Sequence, residues 1–166
     1  MKNLLWSVVL LGCLFTPACG VAENQSAYFV RHVLDGDTLI LGDGERVRLI
    51  GIDTPEIHDD QHRNAAHAAR YGQDPGVMDE YAFKAKEFSR EAVEGQKVRL
   101  EYDWQRKDKF GRTLAYVYRA SDNFFLNAEV LKQGYGFAYT RFPFKYEKEF
   151  RGYEAEARRT RQGLWG

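Results

Sequence analysis

Cysteine is nearly absent from this chain of 166 residues, and its two copies, Cys13 and Cys19, both lie close to the N-terminus. Beyond them neither a disulfide scaffold nor a thiol nucleophile is available, so stability must come from a hydrophobic core. Net charge is absent too, since 24 Lys/Arg offset 24 Asp/Glu. A balanced chain lacks the bulk basic field that draws proteins to polyanions, so any anion binding must be local. No run after the N-terminus approaches the roughly 20 apolar residues of a membrane span. The sequence also has no internal repeat, low-complexity tract or coiled-coil heptad.

What is present begins with Met1-Lys2, an apolar run from Leu4 to Phe15, and small residues that include Gly20 and Ala22. That order predicts a secretory signal over residues 1–22 and a single folded domain over 23–166. The expected location is outside the cytoplasm, periplasmic or secreted. A lipid on Cys19, which stands between Ala18 and Gly20, is the alternative and the one route to membrane attachment, although Thr16-Pro17 make a poor lipobox. The zero total hides a division: residues 23–96 hold 8 Lys/Arg and 15 Asp/Glu, a net of −7, whereas 97–166 hold 15 and 9, a net of +6.

The acidic half gathers its charge oddly. Apolar residues 38–41 and 46–53 flank the turn Gly42-Asp43-Gly44 and read as a hairpin, preceded by a strand over 27–35. Asp35, Asp37, Asp53 and Glu56 fall at the ends of these strands, and Gly36 permits a bend that aims Asp37 toward Asp53. An Asp-capped turn explains one such motif but not the whole set. Clustered carboxylates repel unless a cation joins them, and oxygen donors suit a hard divalent ion. Arg48 sits in the apolar strand and needs an anionic partner: a neighbouring Asp, or the phosphate diester that its planar fork fits.

After Glu56 comes a polar stretch with His58, Asp59, Asp60, His62 and His67, read as a surface loop, with a transition-metal site as the alternative. A helix is expected from a cap at Asp79 to Glu94, with Tyr81, Ala85, Phe88 and Ala92 facing the core. Strands over 98–102 and 113–118 enclose Arg106-Lys107-Asp108-Lys109-Phe110-Gly111-Arg112, by itself a solvated hairpin tip. A helix after Asn123 closes at Gly134, and another carries Tyr146, Phe150, Tyr153 and Ala157. Five short strands with these helices indicate an α+β fold, a five-stranded OB-fold Greek-key β-barrel with three capping helices.

Residues 33–56, read together with Asp108-Lys109-Phe110-Gly111-Arg112, closely resemble the staphylococcal nuclease family, and the likeness in element order runs from Phe29 to Trp165. The segment after Glu56 departs from it by being longer. The resemblance implies a nuclease that hydrolyses DNA and RNA with little base preference and leaves 3′-phosphorylated products. It implies one Ca²⁺ held by Asp37, Asp53 and the Thr54 carbonyl, with Glu56 as general base and Arg48 and Arg112 stabilising the transition state. Lys109 and Tyr139 match substrate-binding positions, and Phe110 stands where the family has a tyrosine. The competing readings are a non-catalytic nucleic-acid-binding OB module and a Ca²⁺-stabilised interaction domain whose arginines only neutralise the acidic cluster.

Overall fold

A computed structural model describes residues 26–57 and 63–166. The expected signal segment with Cys13 and Cys19, and the stretch from His58 to His62, lie outside the described residues. The elements run β1 (Ala27–Asp35), β2 (Thr38–Leu41), β3 (Arg46–Leu49), β4 (Ile52–Asp53), α1 (Arg63–Tyr71), α2 (Pro75–Val93), β5 (Lys97–Glu101), β6 (Thr113–Arg119), α3 (Leu126–Lys132), β7 (Phe137–Ala138) and α4 (Glu147–Arg159), with a final 3₁₀ turn (Gly163–Trp165).

The barrel closes in the order β1-β2-β3-β6-β5, with β5 pairing back onto β1. Among the described strands all pairings are antiparallel except β3 with β6, where Val47 faces Thr113 and Arg48 faces Leu114. Alternation along each strand sends Val30, Val33, Leu39, Leu41, Val47, Leu49, Val98, Leu100, Ala115 and Val117 into the interior. Leu126, Val130 and Leu131 of α3 and Phe150 of α4 join the same core. Fully burying an aliphatic or aromatic side chain of this size contributes about 1.5–3 kcal/mol, which is how a folded region with no cysteine among its described residues holds its shape.

The α+β barrel is the one expected, with three corrections. The strand expected over 46–53 is two strands, because Gly51 adopts φ +75° and turns β4 away to pair with β7. Among the described residues there are four α-helices rather than three, the extra one being α1, in the segment read as a loop. Helix α2 begins earlier than Asp79: Pro75 occupies the first turn and Asp74 caps it, accepting from Gly76 N at 2.8 Å. The helix expected after Asn123 is α3, and Asn123 itself sits at φ +57°, a left-handed position in the preceding turn.

Helix α1 is held by a second small core. Ala68 is buried with Met78, Phe137 and Leu164, and the Tyr71 ring stacks on Phe137 with centroids 3.7 Å apart. No described helix is long and apolar enough to cross a membrane.

Candidate active site

The acidic end of the barrel is assembled at the β1–β2 corner. Helix α2 comes so close there that a Cβ on Gly36 would lie 2.7 Å from the Ala85 Cβ and 2.8 Å from Thr54 Oγ1, so no other residue fits. Ser89 of α2 seals the corner by donating to the Gly36 carbonyl at 2.7 Å. Asp37, buried at 5% exposure, accepts from Thr38 Oγ1 at 3.1 Å and from the Thr54 main-chain N–H at 3.0 Å. Asp35 lies behind it and accepts from the Asp37 N–H at 3.0 Å.

Arg48 answers the question its sequence position poses. Its guanidinium forks between two carboxylates, Nη1 on Asp37 Oδ2 and Nη2 on Asp53 Oδ1 at 3.0 Å. Asp53 is placed by the short β4–β7 ladder, opposite Phe137. Its second oxygen, Oδ2, lies 3.4 Å from His67 Nε2 on α1.

Glu56 follows the ladder and is positioned by a residue the sequence reading passed over. Asn64 of α1, 2% exposed, accepts from the Glu56 N–H and donates to the Glu56 carbonyl, both at 2.8 Å, and also donates to Asp79 at 2.9 Å. The Glu56 carboxylate stays half-buried with Arg63 Nη1 3.1 Å from Oε1. An Asn followed three positions later by a His in a polar stretch was the signal in the sequence, and it does not reveal α1 without the packing around Ala68 and Tyr71.

Burial makes several carboxyls here harder to ionise than usual. Burial, then the charge of Asp37, pushes Asp35 up to about 7. Burial raises Asp53 as well, with Asp37 adding to it and Arg48 opposing. Glu56 is raised by burial and then by Asp37, against the pull of Arg63 and Arg48. Burial works against the Arg48 charge, but Asp37 and Asp53 outweigh it and raise its pKa. All the candidate donors are oxygens, in chemistry a fit for a hard divalent cation, whose charge would favour the ionised carboxylates. Among the described residues no three acidic, His or Cys side chains already converge in a ligating arrangement; the Arg48 guanidinium lies between the two aspartates instead.

The other expected site residues stand apart. Arg112 is tied to Asp108, Nε to Oδ2 at 2.7 Å, and its N–H donates to Oδ1 at 3.0 Å. The β3–β6 register puts Arg112 on the same outward face as Arg48 and Leu114, one step before the ladder begins. Lys109 lies 5.0 Å from the centre of the Phe110 ring, which is 73% exposed. Tyr139 is fixed by its N–H to the Gly51 carbonyl at 2.9 Å, and its half-buried ring tilts against Phe142. The structure thus unites Asp37, Arg48, Asp53 and Thr54, sets Glu56 beside them, and leaves Arg112, Lys109 and Tyr139 on neighbouring surface.

Residues 46–166 match the family described as staphylococcal nuclease homologue. Over 147 residues the chain is 33% identical to a thermonuclease of Staphylococcus hyicus, covering 86% of this chain and 77% of that protein. Over 112 residues it is 40% identical to a thermonuclease of Staphylococcus intermedius, covering 65% of this chain and 56% of that one. An uncharacterised protein of Methanocaldococcus jannaschii is 35% identical over 145 residues, covering 80% and 68%. The chain therefore spans little more than half the length of the second of these relatives.

Proposed function

The chain belongs to the family of staphylococcal nuclease homologues and is a nuclease, and on that premise we propose that it is an exported, Ca²⁺-dependent enzyme that hydrolyses phosphodiester bonds of DNA and RNA with little sequence preference, leaving 3′-phosphorylated products. The observation that carries the reading is the meeting of Asp37, Arg48 and Asp53 at one buried corner, with Glu56 beside it. A module that only bound the phosphate backbone would be opposed by such a cluster of carboxylates.

Asp37, Asp53 and the Thr54 carbonyl are the groups that would hold the ion, which supplies Lewis-acid polarisation of a phosphoryl oxygen. Glu56 takes the proton of the attacking water, a role typically worth about 10² to 10⁴ in rate. Its raised pKa makes it a stronger base than an exposed glutamate. Arg48 and Arg112 present fixed positive charge to the phosphorus as its oxygens gather negative charge, each such donor being worth roughly 10² or more. Lys109 and Tyr139 serve the substrate outside the reacting centre, one by charge and one by stacking. The folded unit is residues 23–166, exported through residues 1–22, with anchoring through a lipidated Cys19 as the alternative.

One observation favours a second reading. Arg48 is engaged by Asp37 and Asp53, and Arg112 by Asp108, as in a domain whose arginines only balance its acids. Cleavage of single-stranded DNA in Ca²⁺ and in chelator, beside Glu56→Gln, decides between them. Ca²⁺-dependent cutting that leaves 3′-phosphates and collapses in the variant supports the enzyme. Binding without cutting under any divalent ion would replace it with the nucleic-acid-binding module, and Ca²⁺ stabilisation with neither would leave the interaction domain.

A further inference from the structure

Helix α1 bears a basic stripe to which the nuclease reading gives no task. Arg63, His67 and Arg70 recur at i, i+4 and i+7, within about 60° of one another around the helix and about 10 Å from first to last. All three act on the acidic end of the barrel. Arg63 meets Glu56, His67 meets Asp53 at 3.4 Å, and the charge of Arg70 bears on Asp53. The stripe is also fixed relative to that end, because Tyr71 stacks on Phe137 and Phe137 faces Asp53 in the β4–β7 ladder.

The stripe stays open to solvent while it faces the carboxylates. The Arg63 side chain remains 49% exposed in its pair with Glu56, and Arg70 is exposed. Exposed ion pairs contribute little to folding, so such a contact exchanges readily for another anion. A guanidinium is moreover shaped for two phosphate oxygens at once. The length of the stripe, about 10 Å, covers roughly three nucleotides of stacked strand at about 3.4 Å each.

We infer that α1 forms a flanking phosphate subsite, in which Arg63 and Arg70 bind phosphates of a single-stranded nucleic acid beside the diester that is cut. The enzyme thereby favours a chain over an isolated diester. This rests on the nuclease reading and adds to it a substrate preference set by the helix that follows Glu56.

The test compares wild type with Arg63→Gln/Arg70→Gln and with the charge-conserving Arg63→Lys/Arg70→Lys. Affinity for a labelled oligothymidylate is measured in chelator as salt is varied, so that nothing turns over. The glutamine variant should flatten the plot of log affinity against log salt by about 0.7 for each arginine lost, and the lysine variant should keep most of the slope. With Ca²⁺ added, the glutamine variant should lose more kcat/KM on the oligomer than on a thymidine dinucleotide, with the excess loss appearing as a raised KM for the oligomer. An unaltered salt slope, or equal losses on dinucleotide and oligomer, would overturn the subsite. Wild type that binds the strand with this slope but cuts neither substrate would sink the nuclease reading and leave the subsite standing. Thermal midpoints of the variants check that their folds are intact.

Discussion

Asn64 takes hold of both main-chain groups of Glu56 at once, accepting from its N–H and donating to its carbonyl at 2.8 Å. One carboxamide thereby does for Glu56 what a neighbouring strand would do, and a residue of α1 becomes part of the site through the backbone alone. Replacing it leaves two part-buried main-chain groups without this partner, at about 1–3 kcal/mol. Asn64→Ala should therefore lower the melting temperature, and it should lower kcat far more than it changes KM, since Glu56 loses aim rather than substrate. Steady-state kinetics read below that melting temperature check the split; a change in KM alone would remove Asn64 from the site.

Arg48 shields two buried aspartates, so its loss is costly in a way that a cation can repair. Removing one partner of such a buried pair typically costs about 3–5 kcal/mol. Arg48→Ala should be strongly destabilised in chelator and should gain more stability from Ca²⁺ than wild type does. Thermal melts at fixed protein concentration with and without Ca²⁺ measure both quantities. An equal Ca²⁺ gain in the two proteins would mean that Asp37 and Asp53 do not hold the ion.

Two glycines with the same backbone sign should respond differently to a methyl group. Gly44 sits at φ +88° with open space around it, so Gly44→Ala should cost only the left-handed penalty of about 1–2 kcal/mol. Gly51 sits at φ +75° with the Phe144 ring 2.5 Å from where a Cβ would be, which adds overpacking of about 1–3 kcal/mol. Urea unfolding should rank Gly51→Ala well below Gly44→Ala.

Away from the acidic corner, Asp103 gives a pH signature. Burial opposes its ionisation, but the Tyr116 hydroxyl at 2.6 Å and the Lys145 and Trp104 N–H groups, both at 2.8 Å, outweigh it and hold its pKa below the ordinary 3.8. A depressed carboxyl adds stability above its unfolded value and loses it as pH falls through the folded one. Asp103→Asn should thus be less stable than wild type by about 1–2 kcal/mol at pH 7, and the gap should narrow below pH 4 in a denaturation series. A gap that persists into acid would show that packing, not charge, is what the aspartate supplies.

Phe110 is exposed on the turn that carries Lys109 and Arg112, so a hydroxyl there meets solvent or substrate and no core. Phe110→Tyr should leave stability within about 0.5 kcal/mol of wild type and lower KM for oligonucleotides with kcat held. Unchanged KM would show that the ring does not reach the substrate phosphate.

Local patterns in the sequence carried the barrel and the acidic corner because both rest on short-range signals. Alternation marks β1, β2, β5 and β6; Gly42-Asp43-Gly44 marks the hairpin; and Asp35, Asp37, Arg48, Asp53 and Glu56 fall within one span of chain. What escaped depends on distant contacts. Nothing near Ile50 or Gly51 announces that β4 will leave β3 for Phe137 and Ala138. Helix α1 opens with residues that read as polar surface, and it is a helix because Ala68 and Tyr71 find Met78, Phe137 and Leu164. The pairing of Arg112 with Asp108, four residues away, was within reach of spacing alone, but a motif read for its likeness to substrate-binding residues draws attention outward.

The parallel pairing of β3 with β6, which sets Val47 beside Thr113, and the ladder that sets Asp53 beside Phe137 also bear on timing. Contacts between parts of the chain so far apart in order are slow to form, because a large loop must close before they yield any free energy. Most of the acidic residues emerge early in synthesis, yet Asp53 has no ladder to lie in until Phe137 has been made. In an unfinished chain the acidic corner therefore lacks the ladder that places Asp53, and that ladder can close only once the last third of the polypeptide is in place.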